Sequence, residues 1–443
     1  MQTLPLLPEL PDHTTVASRH GQAISRARFL RDVLALADRL PAGRPLLNLC
    51  KDRYLFAIGL FAAIARGNLS LLPNATTAEN IAALRAREPD LLCLSDQAEA
   101  PFGLPHLPLA FNPDTAPATT ATMPQIDAEQ TVACVFTSGS TGEPQAHFKH
   151  FGRLVAISLA EAERLWTVTG GPCAVLGTVP FQHMYGLEST VLLPLIGGGI
   201  LSAEQPYFPA DVSTALTALP APRLLVTTPF HLHNLLDAEI GIPPLAALLS
   251  ATAPLARELA QQAEARVGVP MLEIYGSTET GQLATRQPTQ NEAWTLFPGI
   301  HLQQQDAATT ASGALEQDIV LGDVLELLDA THFHLLGRGS DMINIAGKRS
   351  SLAFLNNVIL RLPGVRDAAF CLPHEGEASR LAAFVVAPGI STKDILHGLR
   401  AWVDAVFLPR PIIFLDTLPR NATGKIPASA MAALIAEHLE PDA

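Results

Sequence analysis

No two cysteines in this 443-residue chain are spaced as CxxC, and the five present (Cys50, Cys93, Cys134, Cys173 and Cys371) are scattered and odd in number. That pattern argues against a disulfide framework and against a zinc site, and leaves them as small buried residues. Long apolar runs are also missing. The most apolar stretch, Leu55 to Ala65, falls far short of the roughly 20 residues a membrane-spanning helix needs, and the start MQTLPLLPELPDHTT lacks the charged-then-apolar order of a secretory signal. A cytoplasmic protein without a membrane span is expected. Positive charge is scarce: 29 Lys and Arg against 42 Asp and Glu give −13, which disfavours a nucleic-acid-binding surface. A GxxxxGKS or GxxxxGKT loop occurs nowhere, so the P-loop nucleotide class is set aside.

What is plentiful is apolar material: 48% of residues are hydrophobic and only 16% charged, enough for two or three compact domains at about 100 to 200 residues each. Residues 22–97 alternate helical apolar spacing (Phe29, Val33, Leu34, Ala37; then Leu55, Ile58, Phe61, Ala62) with short apolar runs at 45–49 and 69–72, the pattern of βα units. Residues 98–130, rich in Pro, Ala and Thr, read as a surface connection. From Thr131, TVACVFT reads as a buried strand, followed by a Gly/Ser/Thr loop and then a helix with Phe151, Leu154, Val155, Leu159, Ala162 and Trp166 on one face. Strand-like runs at 174–179, 223–227 and 270–275, separated by helical segments such as 255–267, extend an α/β layering. Residues 295–335 turn to shorter β-like pieces, and the last hundred residues read as a small α+β unit.

Charge divides the chain as well. From Gly337 onward there are 11 Lys and Arg against 10 Asp and Glu, whereas residues 1–336 hold 18 against 32. The C-terminal part is nearly neutral on an acidic body.

The segment Thr137-Ser138-Gly139-Ser140-Thr141-Gly142-Glu143-Pro144 places two glycines and four hydroxyl residues after a strand, where backbone N–H and side-chain O–H donors can wrap phosphate oxygens. It is followed in order by Pro180-Phe181-Gln182-His183-Met184-Tyr185-Gly186, Tyr275-Gly276-Ser277-Thr278-Glu279, Gly322-Asp323, Gly337-Arg338 through Gly347-Lys348-Arg349, and Leu418-Pro419-Arg420-Asn421-Ala422-Thr423-Gly424-Lys425-Ile426. Each alone is a common turn. The ordered series resembles the adenylate-forming superfamily of acyl-CoA synthetases, adenylation domains and luciferases, over about residues 20 to 430.

The resemblance implies a large N-terminal domain of stacked α/β subdomains with a β-rich portion, residues 1–336, and a small mobile α+β C-terminal domain, residues 337–443. ATP, Mg2+ and a small carboxylic acid would bind between them, and the acid would be activated as an acyl-adenylate before passing to a thiol. In the matching positions Lys425 would be the main catalytic group, stabilising charge on the α-phosphate together with the Thr278 hydroxyl and Mg2+ held by Glu279. Thr137 to Gly142 would cradle phosphates. Tyr275, Gly276 and Ser277 would bind the nucleotide, with the Tyr275 ring facing adenine. Asp323 would accept from the ribose hydroxyls, with Arg338 alongside. His183 would stand between acid and phosphate, or serve as a structural histidine. Phe181, Tyr185, Phe230, Ala251 and Ala253 would line an aromatic slot with a small floor, suited to a planar aryl acid such as a hydroxybenzoate.

Three positions depart from the family pattern, one of them Asn344, which stands where a lysine is frequent. Gln145 stands where a lysine usually follows the loop proline, leaving His147, Lys149, His150 or Arg153 to supply charge, and Ser340 occupies the usual Asp or Lys pivot. The general shape, short body and Gln145 in the loop resemble the ligases that load aryl acids onto acyl carrier protein in aryl-polyene and xanthomonadin-type pigment pathways, and the nearly neutral C-terminal part would repel an acidic carrier less than the body does. Coenzyme A as the acceptor, and a catalytically degenerate nucleotide-binding homologue, stay open alternatives.

Overall fold

The computed structural model describes residues 2–73, 75–111, 122–138, 144–305, 308–338, 342–345, 348–373, 380–400, 402–421, 424 and 426–439. Two large sheets organise the chain as far as Arg338, with a separate three-stranded sheet of Ile300–Gln305, Ala308–Gly313 and Ile319–Val320 and a two-stranded one beside them. The first has six strands in the order Pro144–His150, Thr131–Ser138, Ser70–Leu72, Leu46–Asn48, Leu92–Ser95 and His106–Pro108, all parallel neighbours except the first pair. The βα alternation expected over 22–97 builds it. Its helix Arg53–Arg66 starts at Asp52, whose side chain accepts from the Leu55 N–H, and stops at Gly67 in the left-handed region. Every residue from Arg53 to Ile64 is buried, so this helix is apolar on all sides because it is covered on all sides.

The second sheet has eleven strands: Asp323–Leu327, His332–Arg338, Trp294–Leu296, Gly281–Arg286, Met271–Ser277, Ala247–Ser250, Arg223–Thr227, Ala174–Gly177, Ile200–Ser202, Thr15–Arg19 and Gln22–Ser25. From Met271–Ser277 across to Thr15–Arg19 the neighbours are parallel. Successive residues of a strand point to opposite faces, and here both faces are buried. Leu176, Leu225 and Leu248 pack against the helices Pro209–Ala218, Pro229–Asp237 and Arg257–Val267, while Val175, Leu224, Val226 and Leu249 pack with Ala162 and Leu165 of the helix Phe151–Thr169. That double burial explains why these strands read as continuous apolar runs.

Three expectations need correction. The phosphate loop leads not into a helix but into the strand Pro144–His150, which folds back antiparallel on Thr131–Ser138 before the helix Phe151–Thr169 begins. On that helix Leu159 is 50% exposed, because Ile157 and Ala160 take the inward face. In the segment 98–130, His106–Pro108 joins the edge of the six-stranded sheet and Gln125–Asp127 pairs with Thr3–Pro5. All five cysteines are buried, as expected. Among the described residues no helix is long and apolar enough to cross a membrane.

The strand His332–Arg338 carries the large sheet through Gly337 and Arg338. Beyond it lies an α+β unit with its own core: the hairpin Met342–Ile345 and Lys348–Ser351, then the three-stranded sheet Asp367–Cys371, Ala382–Val386 and Ile412–Phe414. Leu355, Ile359, Ile395 and Leu399 cover one face against Phe370 and Val385. Met431, Leu434 and Ile435 of the helix Ala428–His438 cover the other, against Phe384.

Candidate active site

Four segments that carry candidate residues leave the carboxyl ends of four adjacent parallel strands. Ala174–Gly177 runs into the Pro180 to Gly186 turn, Arg223–Thr227 into Phe230, Ala247–Ser250 into Ala251 to Ala253, and Met271–Ser277 into Thr278 and Glu279. In open α/β sheets this edge is where ligands bind. Thr252 sits there with φ of 79°, a costly backbone for a β-branched residue and the kind of strain that gathers at functional sites. The turn after Pro180 is equally constrained, since a Cβ on Gly186 would fall 2.0 Å from the Pro180 carbonyl oxygen.

The six-stranded sheet brings the strands that flank the phosphate loop to the same place. Residues 139 to 143, including Gly139, Ser140, Thr141 and Gly142, lie outside the described residues, but the two strands that hold the loop do not. Ser138, whose backbone pairs with Pro144, closes the ladder. Thr137 Oγ1 lies 2.9 Å from His147 Nε2 on the facing strand, and the same nitrogen is 3.8 Å from Glu279 Oε1. One imidazole therefore touches a loop residue and the carboxylate expected to hold Mg2+.

Glu279 sits on a turn fixed by its neighbours. Ser277 Oγ and Thr280 Oγ1 are 3.1 Å apart, and each accepts from the other's backbone N–H. Gly276 allows the strand to bulge there, because a Cβ would come 2.3 Å from the Gly281 carbonyl oxygen. Partial burial pushes the Glu279 carboxyl up, but hydrogen bonds from its own backbone N–H and from Ser277, with His147 and Lys149 nearby, hold it below the usual range. An ionised carboxylate, 42% exposed, fits Mg2+, which takes one or two protein carboxylates and completes its shell with water and substrate phosphates. Among the described residues no group of three or more His, Cys, Asp or Glu could hold a metal without such help. Thr278, beside it, is half-buried.

Asp323 opens the outermost strand and accepts from the Tyr275 hydroxyl at 2.7 Å. The Tyr275 ring is 9% exposed and packs against Trp294 at 5.6 Å and Phe333 at 5.5 Å. Much of the ring expected to face adenine is thus spent on the core, and its hydroxyl on orienting the carboxylate. Arg338 pairs with Asp323 in backbone register; its side chain lies outside what is described.

The expected acid slot is partly rearranged. Phe181 is fully buried, 4.8 Å from the Phe56 ring and with the Arg53 guanidinium 5.2 Å above it, so it supports the His183 turn from behind instead of lining a pocket. Tyr185 is half-buried, and its hydroxyl lies 3.2 Å from the carbonyls of both Thr227 and Leu249. His183 is half-buried at the start of the helix Met184–Leu187. Ala251 is 6% exposed, Ala253 half-buried and Phe230 41% exposed. Lys425 and Ser340 lie outside the described residues, but Gly424 is described, and a methyl group placed on it would sit 3.6 Å from Phe230 Cβ. Gly424 therefore lies beside Phe230, just past the end of the strand Arg223–Thr227.

Of the four candidates for the missing loop charge, His150 is paired with Glu316 at 2.5 Å and Arg153 forms an exposed pair with Glu129. His147 and Lys149 face the site. Sequence reasoning missed their partners beneath the Glu279 turn, Glu161, Glu188, Ser189 and Gln282, because no motif links residues so far apart in the chain. Glu161 and Glu188 are 1% and 2% exposed, but Glu161 is followed closely by the charged Glu163 and Arg164, so the local sequence does not mark it as buried.

A sequence profile of the AMP-binding enzymes matches residues 11–308, and one of the AMP-binding enzyme C-terminal domain matches residues 355–425. The 4-coumarate–CoA ligase of Rhodobacter capsulatus is 31% identical over 303 residues, 67% of this chain and 75% of that protein. ATP-bound MatB from Rhodopseudomonas palustris shares the fold with a TM-score of 0.82 at 20% identity over 98% of each chain. The o-succinylbenzoate CoA synthetase of Bacillus subtilis, holding its acyl-adenylate intermediate, does so at 0.81 and 18% identity, over 96% of this chain and 97% of that one. With both profiles matched and the motifs converging at one sheet edge, the chain belongs to the AMP-binding enzyme family, the adenylate-forming acid–thiol ligases.

Proposed function

We propose that this enzyme activates an aryl acid such as a hydroxybenzoate as its acyl-adenylate, releases pyrophosphate, and passes the acyl group to the phosphopantetheine thiol of an acyl carrier protein. The observation that carries the reading is the contact of Thr137, His147 and Glu279 across the two sheets, beside strand ends that bear Tyr185, Phe230, Ala251 and Ala253. The division of labour follows from position. The loop from Thr137 to Gly142 holds the phosphates, Glu279 holds Mg2+, the Thr278 hydroxyl stabilises charge on the α-phosphate, and Asp323, oriented by Tyr275, takes the ribose with Arg338 beside it. Mg2+ supplies positive charge where phosphate oxygens gain negative charge. Lys425, next in the chain to Gly424, neutralises charge near the α-phosphate, and His183 stands at the wall between acid and phosphate. The 337–443 part is the mobile domain.

An aromatic acid is supported by the half-buried Tyr185 and exposed Phe230 over a floor of alanines, and by a relative that carries 4-coumarate in its name. For the acceptor, the nearly neutral C-terminal part is a better approach surface for an acidic carrier than the body. Coenzyme A is the second reading, favoured by the relatives whose names specify CoA ligation.

Pyrophosphate release with ATP, Mg2+ and a panel of benzoic, hydroxybenzoic, cinnamic and fatty acids tests the first half. Lys425→Ala should lower release with the preferred aryl acid by a factor on the order of 100 or more; equal release from both proteins would remove Lys425 from the chemistry. Mass spectrometry of the product with holo-carrier protein and with coenzyme A then separates the two acceptors.

A further inference from the structure

The strand Pro144–His150 has its polarity reversed where it leaves the phosphate loop: Phe148 is 52% exposed and Lys149 only 2%. Strand alternation puts one of them inside, and stability alone would choose the phenylalanine, since burying an ammonium costs several kcal/mol unless its partners are excellent. The buried ammonium donates to the backbone carbonyl of Glu279 at 3.0 Å. The other side of the same turn meets Glu188, whose Oε1 would be 2.7 Å from a Cβ on Gly281. Glu188 opens a π-helical turn, Glu188–Leu192, a feature that tends to mark functional sites. From there Gln282 Nε2 donates to Ser189 Oγ, which donates to Glu161 Oε1. Burial lowers the Lys149 pKa and raises that of Glu188 to about 8, while each opposes the other's shift.

We propose that Lys149 and Glu188 are positioning residues: they clamp the Glu279 turn to the strand that leaves the phosphate loop, so that the Mg2+ carboxylate and the phosphate donors move as one unit. The geometry lets the clamp do what the absent loop lysine does not. Gln145 is exposed and brings no charge, whereas Lys149, four residues further along, fixes the metal carboxylate by its backbone and leaves the carboxylate oxygens to the ion. This inference rests on the reading of Glu279 as the Mg2+ ligand.

The test uses the full chain and two readouts: the Mg2+ concentration for half-maximal pyrophosphate release, and the Tm shift produced by ATP with Mg2+ against ATP with EDTA. Lys149→Met should raise the Mg2+ requirement on the order of 10- to 100-fold, the usual loss when a group orienting a metal ligand is removed, and shrink the Mg2+-dependent part of the Tm shift, leaving the KM for the acid unchanged. Lys149→Met/Glu188→Gln removes both buried charges, so it folds at least as well as the single variant and should keep the raised Mg2+ requirement. Wild-type Mg2+ dependence in the double variant would show that Lys149 merely balances a buried charge, and would overturn the proposal. Glu279→Gln separates the two levels of inference. If it loses the Mg2+-dependent shift while Lys149→Met keeps it, the clamp alone is wrong. If Glu279→Gln keeps the shift, the metal assignment falls, and the clamp with it.

Discussion

Glu161, 1% exposed, accepts from Ser189 Oγ at 2.7 Å on one oxygen and has no hydrogen-bond partner on the other. Burial pushes its carboxyl from 4.5 up to about 7, against the pull of Ser189 and Gln282. The folded chain thus holds a proton that the unfolded chain has released between about pH 4.5 and 7, so stability from this group is full below that window and is lost as pH rises through it. Glu161→Gln keeps the acceptor for Ser189 and cannot ionise. Its Tm relative to wild type should climb between pH 5 and pH 8, by the equivalent of at most about 3 kcal/mol; a difference that stays flat with pH would show that Glu161 is ionised in the fold. Nothing in the local sequence distinguishes Glu161 from the exposed Glu163 two residues on. Phe181 makes the converse point: expected to line the acid slot, its ring is buried against Phe56 and Arg53, since which side of a turn a ring takes depends on the helix behind it.

At the scale of elements, the site depends on the bulge that turns the strand Met271–Ser277 into the Glu279 turn. Gly276→Ala puts a methyl group 2.3 Å from the Gly281 carbonyl oxygen, a backbone atom with no rotamer to yield. The pairing of Gly276 with Gln282 should open, at a cost of about 1 to 3 kcal/mol, and pyrophosphate release should fall at least tenfold with the Mg2+ requirement raised. Wild-type kinetics would mean the turn is held by its other contacts alone. The same scale explains the misread strand. His147, Phe148, Lys149 and His150 carry no apolar alternation, and only pairing with Thr131–Ser138 makes the segment a strand: tertiary context overrides a pattern that by itself reads as loop.

Across the whole molecule, Arg53 ties the two sheets together. Fully buried at the start of the all-buried helix, it donates to the carbonyls of Ser202 and Glu204 through Nη1 and of Gly177 through Nη2, while its guanidinium lies over Phe181. Arg53→Met would leave three carbonyls without this donor, at about 1 to 3 kcal/mol for each left unsatisfied, so Tm should drop by several degrees; an unchanged Tm would show that the sheets are held by apolar packing alone. Sequence by itself determined the layered α/β body, the separate C-terminal unit and the family chemistry, because apolar periodicity and contiguous motifs are local properties of the chain. Only the tertiary structure decided which side chains share the site. His147 against Thr137 and Glu279, Lys149 under the Glu279 turn, and Gly424 on Phe230 join segments up to about two hundred residues apart, and the free energy of burying a charge is fixed by what surrounds it after folding, not by its neighbours along the chain.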